Sequence, residues 1–229
     1  MSRINDIWQR KPAGMVLGLD FSGERITSPT GHSGTLVGNA TVAAGTRYLE
    51  LDGTGDYLEI ADAPEFSFDG SGVDKPFSLS VWVSFDAIGS SYRNLLAKGS
   101  AKEWEFRPVN GSGAGIFVLF SGGAGSVYIA RTWVDTPATG TWIHYAAVYS
   151  GGETVGSLAV YKNTVRVDAF NVSAGSYVGM SDTTATVRIG ESIDGRIAGA
   201  RIYNRVLAVE EIAQIYNAGA ARIALGGTP

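Results

Sequence analysis

Between Phe77 and Phe85 the chain reads FSLSVWVSF, and no other segment limits the fold as tightly. Phe77, Leu79, Val81, Val83 and Phe85 fall on one side of an extended strand, and Ser78, Ser80, Trp82 and Ser84 on the other. A helix would scatter the five apolar side chains around its circumference, so the stretch is a strand with one core face. One large aromatic, Trp82, is left among serines on the opposite face.

The same two-residue period returns at residues 15–21, 48–51, 57–60, 95–98, 104–107, 115–120, 126–131, 142–149, 158–162, 165–170, 187–189 and 197–203. Turn-forming clusters separate these segments, in keeping with 31 glycines and only 17% charged residues. The pattern predicts a hairpin-like connection at Asp52-Gly53-Thr54-Gly55-Asp56 and a pair between residues 142–149 and 158–162. Asn163-Thr164 marks a turn where Asn-Gly would suit better, because both central residues of a type I′ turn need positive φ. One helix is expected at 209–216, with Val209, Ile212, Ala213 and Tyr216 on one face and Gly219 as its stop. About a dozen short strands without βαβ alternation specify an all-β, two-sheet antiparallel jelly-roll sandwich. The expected organisation is an N-terminal arm over 1–14, a domain over 15–220 and a tail over 221–229. The arm carries Ile4, Ile7 and Trp8 as candidate assembly contacts ahead of the helix-breaking Lys11-Pro12-Ala13-Gly14.

Composition removes several function classes. The net charge is −4 with both signs interspersed, so the basic stripe of a nucleic-acid groove is missing. No apolar run approaches the ~20 residues that span a bilayer. The opening MSRINDIWQRKPAGM lacks the apolar stretch of a secretory signal, so synthesis in a cytoplasm is expected. Without cysteine there is no disulfide framework and no thiol nucleophile. His32 and His144 are the only histidines, and no nucleophile elbow, zinc helix or phosphate-cradling loop occurs.

Six segments, taken in order, resemble laminin-G-like modules of the concanavalin A-like jelly-roll family. They are GHSGTLVGNATV, LDGTGDYLEI, FSLSVWV, WIHYAAVY, SLAVYKNTVRV and GRIAGARIYNRVLAVEEI, spanning about residues 15–219. The resemblance implies a recognition platform. It also implies acids that hold Ca²⁺ or pin loops, and here the chain departs: Ala198-Gly199 stands where the family has an Asp-Glu pair, and Ser28-Pro29 where it often has an Asp. Asp52, Asp56 and Asp194 remain as candidate Ca²⁺ ligands, with no cofactor required.

Retaining glucanases of this fold need two carboxylates about 5 Å apart. The nearest counterpart here is Glu103-Trp104-Glu105 with Arg107, which lacks a third acid and is expected to be a solvated face opposite Trp104 and Phe106. Catalytic residues are therefore expected to be none. Candidate ligand contacts are the aromatics and planar groups near loops and strand ends, Tyr92, Arg93, Tyr128, Trp133 and Tyr177, together with Trp82. The first functional expectation is a non-enzymatic recognition module on the surface of a larger particle, a bacteriophage head decoration, fibre or tail component, with other subunits and a glycan as partners. A free carbohydrate-binding lectin is the alternative, and a glycoside hydrolase the third reading.

Overall fold

The computed structural model of the chain describes residues 12–19, 21, 28, 30–42, 45–70, 72–89, 93–108 and 113–229. Two antiparallel sheets face each other across one apolar interior. The first contains β1 (Met15–Gly18), β3 (Leu49–Asp52), β5 (Phe77–Ala87), β10 (Trp142–Tyr149), β11 (Leu158–Lys162), β12 (Val165–Arg166) and β15 (Asp194–Tyr203). Its order is β1-β15-β5-β10-β11-β12, with β3 sharing the β1 edge of β15. The second sheet contains β2 (Gly34–Val37), β4 (Tyr57–Ile60), β6 (Leu96–Lys98), β7 (Trp104–Arg107), β8 (Ala114–Ser121), β9 (Val127–Val134), β13 (Phe170–Ala174) and β14 (Val187–Ile189). It runs β13-β9-β8-β7-β6-β14-β4-β2. This is the expected jelly-roll sandwich.

Phe77, Leu79, Val81, Val83 and Phe85 are all fully buried and meet Phe106, Phe117 and Trp104 from the opposite sheet. Phe77 stacks on Phe68 at 4.2 Å between ring centroids and meets Tyr149 edge-on at 5.8 Å. Such pairs add about 0.5–1.5 kcal/mol each beyond area burial.

Three local expectations are corrected. Strands β3 and β4 are not a hairpin: β3 pairs with β15 in the first sheet and β4 with β14 and β2 in the second. Residues 52–56 therefore cross between sheets, which period-two alternation alone cannot distinguish from a hairpin. The stretch 165–170 divides into β12 and the start of β13, one in each sheet. The helix, α1 (Val209–Ala224), extends well past Gly219 into the expected tail.

Helix α1 begins where Glu211 accepts the Ala208 amide N–H at 2.9 Å and takes both Arg205 Nη atoms at 2.7 Å. Arg205 Nε also donates to the Ala13 carbonyl at 2.7 Å, joining the helix start to the root of β1. Ile212 is buried with Met15, Ala146, Val148, Tyr203 and Leu207 on the outer face of the first sheet. Val209, expected on the apolar face, is exposed. The Asn163-Thr164 turn does place both residues at positive φ, 46° and 76°, and the Asn163 side chain accepts the His144 amide at 2.9 Å. A bulge between Ala198 and Arg201 holds Gly199 at φ 55°, so this departure from the family pattern serves strand geometry.

Candidate functional site

The outer face of the second sheet carries one transverse row of side chains: Glu59, Arg188, Ala97, Glu105, Val118, Ala130 and Val172. Residues directly opposite on neighbouring strands share a face, so the register itself assembles this row. Its β4–β7 half is charged and its β8–β13 half apolar. Val118, Phe120 and Ala130 cluster with Ile116, Tyr128 and Val172 on that apolar half.

The charged half is an ordered relay. The Arg188 guanidinium lies 4.6 Å from the Tyr57 ring centre and donates to Glu191 at 2.6 Å. Glu191 accepts the Asn94 amide at 2.8 Å, and Asn94 Oδ1 accepts Arg107 Nε at 3.2 Å. Arg107 in turn pairs with Glu105. A face with an aromatic ring and guanidinium forks on paired strands, and a primary amide in the connection before β6, matches what sugar recognition requires: apolar stacking surfaces beside planar hydrogen-bonding groups.

Two acids beside this face, Glu103 and Glu105, are taken up by hydrogen bonds to the protein itself. Contrary to the expected solvated face, Glu103 and Glu105 are both fully buried. Glu105 accepts the Ala101 amide at 2.6 Å in addition to Arg107. Glu103 Oε1 accepts Lys98 Nζ at 2.8 Å, the Thr183 amide at 2.8 Å and the Thr183 hydroxyl at 2.7 Å. Burial raises the Glu103 carboxyl above its ordinary 4.5, and the Lys98 and Thr183 hydrogen bonds pull against that rise. Both carboxylates bind their own loops: Glu105 closes the β6–β7 turn and Glu103 fastens the segment leading into β14.

The individual ligand candidates are dispersed. Tyr92 and the arm residues Ile4, Ile7 and Trp8 lie outside the described residues. Tyr128 reaches the outer face of the second sheet, where it meets Phe120 edge-on at 6.1 Å. Trp133 is no surface group, because its alternation directs it into the core, 6.1 Å from Phe106. Trp82 is covered by α1 and stacks on Tyr216 at 5.4 Å. Arg93 is buried and donates to the Ala87 carbonyl at 2.6 Å. Tyr177 donates at 2.6 Å to Asp74, a buried carboxylate that also accepts Tyr149 Oη at 2.9 Å and the Met180 amide at 2.7 Å. Burial pushes the Tyr177 hydroxyl up, and the Asp74 charge adds to the shift.

Among the metal candidates, Asp56 is buried and accepts the Asn39 and Asp52 amides at 2.8 and 3.0 Å. Asp52 accepts the Asn39 side chain at 2.7 Å and the Thr54 amide at 2.8 Å, and these bonds, the Asn39 side chain first, lower its pKa below 3.8. Asp194 pairs with Asp52 across the β3–β15 ladder. Asp52 and Asp56 thus build the crossing between sheets, with Asp194 opposite Asp52 at the start of β15. Among the described residues, no group of three or more His, Cys, Asp or Glu is disposed to hold a metal ion.

Sequence reasoning missed Tyr57, Asn94, Arg107, Arg188 and Glu191. Each is ordinary in its own segment, and only the β7–β6–β14–β4 pairing, with the connections at Asn94 and Glu191, brings them together.

Structures of known proteins share this architecture. The binding domain of Paraclostridial Mosquitocidal Protein 1 superposes with a TM-score of 0.66 at 12% identity, over 89% of this chain and 52% of that one. A receptor-binding domain of botulinum neurotoxin mosaic serotype C/D gives 0.69 at 15% identity, over 91% and 52%. A botulinum neurotoxin type C structure, described by its dependence on two ganglioside molecules for cell entry, gives 0.66 at 12%, over 95% and 52%. The chain therefore spans about half the length of these proteins, and the likeness concerns the fold. A search of curated protein sequences gave no match. Residues 52–213 match the family model of the concanavalin A-like lectin/glucanases superfamily, and the chain belongs to that superfamily.

Proposed function

We propose that this chain is a non-enzymatic carbohydrate-recognition module that binds through the outer face of its second sheet. The observation that carries the reading is the Tyr57–Arg188–Glu191–Asn94–Arg107 relay, an aromatic ring and planar polar groups linked in sequence beside acids already bound to the protein. Hydrolysis needs a free acid and a nucleophile on either side of a glycosidic bond. Glu103 and Glu105 are sequestered from any such role by their own hydrogen bonds. The described functions of the fold's relatives agree: one is a binding domain in complex with SialylT, another depends on gangliosides for cell entry.

The test is a glycan array probed with the full chain and with Tyr57→Ala and Arg188→Ala. Removing a stacking or guanidinium contact is expected to weaken binding about tenfold or more, the usual consequence of truncating an anchor worth above ~1.4 kcal/mol. Undiminished binding by both variants overturns the assignment of the face. Reducing sugar released by wild type and lost in Glu105→Gln would overturn the non-enzymatic reading.

Display on a larger particle such as a phage virion is a second proposal. It is supported by the arm's defined root, where the Ala13 and Gly14 carbonyls accept Arg205 Nε and the Asn204 amide. Deleting residues 1–11 tests it: incorporation into the particle at wild-type levels refutes anchoring by the arm.

A further inference from the structure

We propose a second glycan-binding corner on the opposite sheet, formed by Trp142, Tyr48, Arg196, Glu50 and Asp86 and suited to an uncharged pyranoside. Cross-strand register places Trp142, Ser84, Arg196 and Glu50 side by side on β10, β5, β15 and β3. Ser84 is small and only 2% exposed, leaving a covered gap between Trp142 and Arg196, whose strands are about 10 Å apart. The Tyr48 ring leans into it, with its centre 6.1 Å from that of Trp142, tilted 55°, and 5.7 Å from the Arg196 guanidinium. Arg196 reaches Asp86 at 3.3 Å and Glu50 at 3.6 Å.

These two rings do not serve the interior. Among the described residues, neither is part of, or packed against, the three hydrophobic clusters. Of the four described tryptophans, Trp82, Trp104 and Trp133 are at most 1% exposed, whereas Trp142 is only half-buried. A half-exposed indole tilted against a tyrosine presents a concave apolar corner that fits the C–H face of one sugar ring. The surrounding ion pairs are long and exposed, each worth under about 1 kcal/mol. Sugar hydroxyls can therefore recruit the carboxylates and the guanidinium at little cost. Two carboxylates against one guanidinium disfavour sialylated or sulfated ligands, which sets the ligand class. The corner shares no residue with the face formed by β4, β14, β6 and β7.

The experiment is an immobilised array of uncharged galactosides, glucosides, mannosides and N-acetylglucosaminides beside sialylated glycans. It is probed with the full chain, Trp142→Ala, Arg196→Met and Arg188→Ala, with thermal midpoints compared in parallel. Expected is a loss of about tenfold or more on uncharged glycans for Trp142→Ala and Arg196→Met, with Arg188→Ala retaining part of that signal. Should Trp142→Ala fail to fold, Arg196→Met and Tyr48→Ala decide. Wild-type binding by the folded corner variants, together with loss in Arg188→Ala, overturns this corner and leaves the first face standing. A wild-type chain silent on every glycan overturns both. A signal restricted to sialylated glycans overturns the ligand class stated here.

Discussion

Gly219 lies directly against the indole of Trp82: a Cβ at position 219 would stand 2.6 Å from the ring. The glycine is therefore a point of close approach in the middle of α1, and Trp82 is the surface on which the helix docks. Tyr216, one turn earlier, stacks on the same indole with its plane tilted by 12°.

Gly219→Ala is expected to destabilise the protein by about 1–3 kcal/mol through overpacking. In a solvent-exposed helix the same change would stabilise by up to ~1 kcal/mol, so the sign alone is diagnostic. Urea denaturation reads it, and a raised midpoint would contradict the docking described above.

Lys98 is fully buried and donates to Glu103, Asp62 and the Thr183 carbonyl at 2.8, 2.7 and 2.9 Å. Lys98→Met leaves the buried Glu103 carboxyl without its cation, an expected loss of about 3–5 kcal/mol. Lys98→Met with Glu103→Leu should recover much of that loss. A double variant as unstable as the sum of the singles would show that the pair is not coupled.

The Glu103 carboxyl is raised by burial, so the folded state holds its proton to higher pH than the unfolded chain does. Its contribution to stability is complete below 4.5 and is lost as pH rises through the folded value. The difference in stability between wild type and Glu103→Gln should thus shift against wild type as pH rises through that window. A difference that is flat with pH would remove the argument.

His144 behaves oppositely. It is fully buried, with Nε2 2.9 Å from Ser80 Oγ, and burial lowers its pKa to about 3, with Arg201 adding to the shift. The unfolded chain takes up the proton near 6.5, so this stabilisation is full above 6.5 and is lost as pH falls toward 3. The imidazole resonances followed by NMR should stay those of the neutral ring at pH 5, and titration near 6.5 would refute this.

Tyr177→Phe removes one hydrogen bond to the buried Asp74 carboxylate, an expected cost of about 1.5–3 kcal/mol. Glycan binding by the folded variant should be unchanged, because the hydroxyl holds a loop. A binding defect at wild-type stability would restore Tyr177 as a ligand contact.

The strand pattern determined the sheets because period-two alternation is a local property: β5, β10 and β15 follow directly from where their apolar residues recur. The six ordered segments likewise made the superfamily legible before any coordinates. Tertiary structure alone decided what each outer face does. The alternation that sends Trp82 outward is the same whether solvent or α1 covers it, and the alternation of Glu105 and Arg107 is the same whether they are hydrated or buried. Asp52 and Asp56 read as metal ligands or as a turn with equal ease, until the amides of Asn39, Asp52 and Thr54 occupy them. The two proposed sugar faces stayed hidden for a related reason. Tyr57 meets Arg188, and Tyr48 meets Trp142 and Arg196, between segments far apart in the chain, and long-range pairing leaves no trace in the period of any single strand.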